Sequence, residues 1–398
     1  MVAIRHEEMK INRYQVKILI LLVTFAVAFA AGFEFYNLRH YSDSFVPSKN
    51  YVKTGYLSDY DDSLKGTYAD APIYFFDSGV EGGTLFYMSG THPNETAAIL
   101  SSYILMENMD LQKGRIIVLP IANYSASTNA YNGYGYPSYY NIETEWGIKT
   151  YKIGSRLTNP LDQWPDPPVY SQYPTGQGLC YEDARNSNRA YPGKSNGILT
   201  ERVGNAIMTL LEKEDVDLAF DLHEASISYP VNNTYIVPSK CEDIALMSKM
   251  MLEAEGIDIG VEFSSESNKG YSHSNWGDVD GVYPFLIEVP TPFIERITGP
   301  LTQNTIIKGT DDFLVKVADK GYTGVPYDEN GYPLEYRVGL HLTAVKKAVE
   351  IAGMFNFDLE IVANWPTIDD IEKNGIGSYI NNQNSSESSA IYVNHGTF

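Results

Sequence analysis

Cysteine is nearly absent from this chain of 398 residues: only Cys180 and Cys241 occur. Two thiols can neither build a cysteine-rich zinc module nor staple a disulfide-dense small scaffold. Basic side chains are also scarce. There are 29 Lys and Arg against 50 Asp and Glu, for a net charge of −21. A chain this acidic repels phosphate backbones, which argues against nucleic acid as a partner. Charged residues make up 20% of the chain and hydrophobic residues 43%. That balance excludes a mostly disordered or fibrous protein and supplies a real core. The length allows one large domain or two ordinary ones.

Long apolar runs are missing except for one, Ile18 to Phe33, which follows Lys10, Arg13 and Lys17. It is slightly shorter than a standard spanning helix of roughly 20 residues and longer than most signal-peptide cores. Basic residues before the run place the N-terminus in the cytoplasm and the remainder outside. Residues 1–36 therefore read as a cytoplasmic stub with a signal anchor, or a signal peptide cleaved after Ala28 or Ala30. The anchor is the preferred reading. The remainder of the chain is then exported, extracellular or periplasmic, and secreted if the segment is cleaved. Export permits a Cys180–Cys241 disulfide; the competing expectation is two buried thiols. Asn123, Asn232 and Asn384 head glycosylation sequons, which matter only on a eukaryotic secretory route.

Residues 37–70 are polar and read as a linker, 71–360 as the folded domain, and 361–398 as a flexible tail rich in Asn, Ser and Gly. Short apolar strands are expected at 73–76, 83–89, 114–120, 216–223 and 283–289. Helical spacing is expected from Asn94, over 200–213 with Thr200 as N-cap, and over 242–255, 300–317 and 337–354. This alternation predicts an α/β fold with a mixed, largely parallel central sheet flanked by helices, preceded by the N-terminal hydrophobic helix. Residues 124–192 carry many Tyr, Pro and Gly with little periodicity, as functional loop sets do. Tyr131 to Tyr140 reads as a stacking platform or as loop packing.

Four short patterns carry chemistry. Gly90-Thr-His-Pro-Asn-Glu follows a strand and opens a helix, so His92 and Glu95 can meet at one point; both are good zinc ligands. His223, in Asp221-Leu-His-Glu, falls at the end of an apolar strand, where α/β folds present ligands. Glu288 lies inside the strand Phe285-Leu-Ile-Glu-Val, where a lone carboxylate is costly and suited to acid–base work. Asn188 and Arg189, in Arg185-Asn-Ser-Asn-Arg, pair an amide with a guanidinium that can grip a carboxylate. Taken singly, each pattern also fits a bland role: a helix-dipole acid, a core histidine, a buried ion pair or a surface salt bridge.

In chain order, His92 with Glu95, then Asn188-Arg189, then His223, then Glu288, the four patterns resemble the zinc carboxypeptidase superfamily, including its succinylglutamate desuccinylase and aspartoacylase branch, over about residues 71–355. The resemblance implies one zinc per chain held by His92, Glu95 and His223, and Glu288 as the general base. It implies Asn188 and Arg189 as carboxylate binders, with Arg185 the nearest candidate for an oxyanion arginine. Tyr271 and Ser274, in Lys269-Gly-Tyr-Ser-His-Ser-Asn-Trp, would line the substrate pocket, with His273 a further contact. Asp221 would orient a ligand or make a structural hydrogen bond. Glu224, facing the other side of the strand, is not given the base role. The implied activity is hydrolysis of an amide bond near a free carboxylate, in a peptide or an acyl-amino acid. The helical pattern at 338–351, where the desuccinylase branch carries a β-rich domain, favours a single catalytic domain. The reading from another class is a cell-surface binding protein that keeps the fold without turnover. The sequence leaves the oligomeric state open.

Overall fold

The computed structural model describes residues 12–130, 137–265, 269–294, 299, 301–385 and 389–396. It divides into two units, residues 1–41 and 42–398.

The first unit is one helix, α1 (Arg13–His40), capped by the Asn12 side chain, which accepts from the Tyr14 amide. Its most apolar stretch has a mean hydropathy of 2.4. At 1.5 Å per residue its 28 residues reach about 42 Å, more than the roughly 30 Å bilayer core. The helix is thus longer than the uncharged run alone, because helical geometry continues through Glu34.

The second unit holds an eight-stranded sheet. Its strands are β1 (Tyr51–Tyr56), β2 (Pro72–Asp77), β3 (Thr84–Met88), β4 (Arg115–Leu119), β5 (Leu218–Ser226), β6 (Thr234–Val237), β7 (Gly260–Phe263) and β8 (Tyr283–Thr291). They run in the order β7-β6-β8-β5-β3-β4-β2-β1. The central strands β8, β5, β3 and β4 are mutually parallel, as are β6 and β7. The β6–β8, β2–β4 and β1–β2 pairs are antiparallel. All nine residues of β5 are buried, which fits a strand covered on both faces. Helices α2 (Thr96–Asn108), α3 (Leu199–Lys213), α4 (Glu242–Ala254) and α5 (Leu334–Phe355) flank the sheet. The mixed, largely parallel α/β expectation therefore matches the observed sheet.

Several local expectations change. The stretch 37–70 is not a linker throughout: β1 joins the sheet edge, and Leu57 and Leu64 are fully buried. Thr200 sits inside the first turn of α3, where its hydroxyl donates to Gln163 Oε1 at 2.9 Å. The helix expected over 300–317 is two short ones, Gln303–Lys308 and Asp312–Asp319. Gly309 at φ +69° ends the first, and the Asp311 carboxylate caps the second. The tail is anchored as well. Val362–Asn364 pairs with Asp110–Lys113, and Ile391–Tyr392 pairs with Ser44–Phe45. Trp365 is buried and donates to the Leu342 carbonyl at 3.0 Å. A few apolar residues spaced far apart dock this polar-looking segment.

Both cysteines are free, Cys180 exposed and Cys241 buried, so neither the disulfide nor the pair of buried thiols holds. Burial pushes the Cys241 thiol up to about 12. Alkylation of the native protein is expected to label one thiol per chain, and two after denaturation, by intact mass. Asn123 and Asn232 are buried and Asn384 is exposed. Residues 131–136 of the Tyr-rich segment lie outside the described residues. Tyr140 beyond them is core, stacked on Tyr151 at 5.6 Å.

Candidate metal centre

The centre forms where the chain leaves β3. Gly90 adopts φ +61°, and a Cβ there would sit 2.7 Å from the Ile121 Cα. Only glycine fits this turn. It sends the next residues across the end of the sheet, so that His92 stands beside Glu95 at the start of α2. The β5–β3 pairing ends at Asp221–Met88. Beyond it, β5 carries His223 to the same point.

His92 Nδ1 lies 2.7 Å from Glu95 Oε1, and His223 Nδ1 lies 3.0 Å from Glu95 Oε2. Ligand atoms of the three side chains lie within 4.8 Å of one another, and all three residues are buried. Two imidazole nitrogens and a carboxylate are a donor set suited to zinc. Each ring has an acceptor near its other nitrogen, hydrogen-bonded for His92 and a close charged neighbour off hydrogen-bond alignment for His223. His92 Nε2 pairs with Asn186 Oδ1 at 3.0 Å. His223 Nε2 lies 2.9 Å from Asp221 Oδ2. Asp221 is itself held by the Thr91 hydroxyl at 2.9 Å and the Ser272 hydroxyl at 2.5 Å. This arrangement fixes ring orientation and leaves both Nδ1 atoms facing the centre, so these residues fit a divalent ion. Replacing Asp221 with alanine is expected to weaken zinc affinity about 10- to 100-fold, measured by competition with a chromophoric chelator.

Burial pushes the Glu95 carboxyl up, but the two imidazoles outweigh it and hold the group well below its usual range. Burial, aided by the Arg156 cation, lowers His92. Burial also works against a charged His223, yet Asp221 and Glu95 raise it well above its ordinary value. The centre thus concentrates negative charge around its imidazoles, as a cation site does.

A cavity of about 410 Å³ opens beside these ligands, lined by His92, Glu95, Arg156, Asn188, Arg189, Tyr271 and Glu288 among others. Glu288 on β8 stands directly across from His223 in the parallel register. Arg189 lies over the Tyr271 ring with its guanidinium carbon 4.2 Å from the ring centre, and donates to the Asn188 carbonyl at 2.7 Å. Asn188 Oδ1 accepts from the Ser272 amide at 3.0 Å. Gly270, at φ +95°, lets its loop pass close to the Arg189 backbone; a Cβ there would meet the Arg189 carbonyl oxygen at 2.7 Å.

Two expected residues are elsewhere. Arg185 pairs with Asp166 at 2.6 Å and does not line the cavity. Ser274 is buried off the cavity, whereas its neighbour His273 lines it. The arginine at the centre is Arg156, whose Nη1 is 3.2 Å from Glu95 Oε1. No motif marks it in the sequence, since it lies in an irregular loop. Asn186 was also missed, although it stands inside the Asn-Arg pattern. Glu224 turns to the far side of β5 to meet the buried Arg337, and its Oε2 accepts from the Ala97 amide at 2.8 Å. Its own amide donates to Glu95 Oε2 at 3.1 Å.

No family model matches the chain, and neither does any curated protein. Solved structures do. A metallo-carboxypeptidase from Burkholderia cenocepacia is 9% identical at a TM-score of 0.46, covering 77% of this chain and 66% of that one. An aspartoacylase family protein from Mesorhizobium loti is 18% identical at 0.37, covering 63% of each chain. A succinylglutamate desuccinylase from Silicibacter sp. is 15% identical at 0.36, covering 62% of each. The chain thus spans under two thirds of the length of these last two proteins.

Proposed function

We propose that this chain is an exported zinc-dependent hydrolase that cleaves an amide bond next to a free carboxylate. The observation that carries this reading is the buried His92–Glu95–His223 cluster, opening on one cavity with Glu288, Arg156, Asn188 and Arg189. An ion held there by the three ligands would supply Lewis acidity, activating water near neutral pH and polarising the amide carbonyl. Glu288 takes the proton of the attacking water on its carboxylate and returns it to the leaving nitrogen. Arg156, beside the ligands, donates to the oxygen that gains charge as the carbonyl carbon becomes tetrahedral. Asn188 and Arg189 grip the substrate carboxylate, with Tyr271 holding the guanidinium from below. Helix α1 anchors the domain on the outer side of the membrane, following the basic residues Arg13 and Lys17 before its apolar stretch.

The net charge of −21 opposes an anionic substrate at long range. Screening over roughly 8 Å at physiological salt leaves the two cavity arginines in control of the approach. Replacing Arg156 with alanine is expected to lower kcat about 10²- to 10³-fold with a smaller change in KM, read from steady-state kinetics. Two substrate panels test the reading on zinc-loaded protein: N-acyl amino acids, and peptides with free C-termini. Hydrolysis in either panel supports it and selects the branch. Zinc-loaded protein inert on both would favour a binding protein.

A further inference from the structure

The far end of the cavity has a chemistry the reaction does not use. Two residues before Glu288, on the same face of β8, Leu286 lines the cavity floor. Across the sheet its register partner is Ile236 on β6, whose partner in turn is Glu262 on the edge strand β7. Ile236 and Glu262 also line the cavity. The floor therefore runs from the catalytic carboxylate over two apolar side chains to an acid, two strands or about 10 Å away from β8. Ser264 and His273 line the same cavity, with Ser264 Oγ 2.5 Å from His273 Nδ1. Burial pushes His273 down to about 4, so its ring is neutral at pH 7, and the tautomer in which Nδ1–H donates to Ser264 Oγ leaves Nε2 as its acceptor nitrogen.

We propose that Glu262, with Ser264 and His273, forms an ammonium subsite, and that the enzyme selects a residue bearing both a free carboxylate and a cationic side chain. The carboxylate is gripped by Asn188 and Arg189. The alkyl stem of a lysine-like side chain lies over Leu286 and Ile236. Its ammonium, a compact group with three donors, meets the carboxylate, hydroxyl and imidazole acceptors at the end of the floor. An apolar or acidic side chain would leave Glu262 without a cation, or repelled. The subsite presupposes the hydrolase reading of the same cavity, and its test separates the two.

The zinc-loaded full chain in detergent is assayed on matched substrates ending in lysine, norleucine or glutamate, as peptides and as N-acyl amino acids. Lysine is expected to exceed norleucine in kcat/KM by at least about tenfold, the scale of a hydrogen-bonded charge. Glu262→Gln is expected to bring that ratio near one. Glu262→Arg is expected to move the preference toward glutamate. Free lysine and norleucine are also titrated calorimetrically into the same protein. Tighter lysine binding that Glu262→Gln abolishes supports the subsite even where no substrate is hydrolysed, a result that would sink only the hydrolase reading. Equal handling of lysine and norleucine, in turnover or in binding, overturns the subsite.

Discussion

Glu288→Gln is expected to keep its zinc and lose turnover by about 10²- to 10⁴-fold, the contribution of one positioned general base. Glutamine preserves the shape of the side chain but cannot accept the proton of an attacking water. Glu288 faces His223 across β5 and β8 and lines the cavity without belonging to the ligand cluster. Zinc content and kcat should therefore separate in this variant. Metal analysis beside steady-state kinetics makes the comparison. Full activity would remove Glu288 from the mechanism, and loss of zinc would make it a support of the centre instead.

Arg337→Met should cost stability on the scale of a broken buried ion pair, about 3–5 kcal/mol. Arg337 and Glu224 are both fully enclosed. The guanidinium also donates to the Tyr332 carbonyl at 3.0 Å and to the Thr291 hydroxyl at 3.3 Å. Removing it leaves the Glu224 carboxylate in a site where burial already pushes its pKa up. The consequence reaches the metal, because the Glu224 amide holds Glu95 and its carboxylate holds the first turn of α2. Urea unfolding should show the loss of stability, and a chelator competition should show weaker zinc binding. The double variant Arg337→Met, Glu224→Leu should recover part of the stability, since an apolar pair of similar volume avoids the unpaired charge. A single variant as stable as the parent would mean that water or another cation reaches Glu224.

Strands β2, β3, β4, β5 and β8 were legible in the sequence because each is a short apolar run bounded by turn residues. Helices α2, α3, α4 and α5 were legible for the matching reason of helical spacing. So was the turn at Gly90, where a histidine and a glutamate three positions apart follow a strand. Local pattern reports local conformation, and strand ends report where ligands can stand. No expectation covered β6 or β7, and the pattern was also silent on β1 and on the docked tail. Their apolar contacts are few, and they become worth making only against a surface that the rest of the chain builds.

The choice of arginine shows the same limit. Arg185 neighbours the Asn-Arg pattern in sequence, yet Asp166 draws it away, while Arg156 arrives at Glu95 from a loop with no periodicity. His273 rather than Ser274 faces the cavity because of how a short loop turns over Asn188. By itself the sequence determined the apolar N-terminal helix, the α/β class and four chemically loaded patterns, since these depend on residues adjacent in the chain. Only the tertiary structure decided which side chains share one cavity and which acid ends its floor. A side chain's direction there is set by partners more than a hundred positions away, as with Thr91 on Asp221 or Arg337 on Glu224.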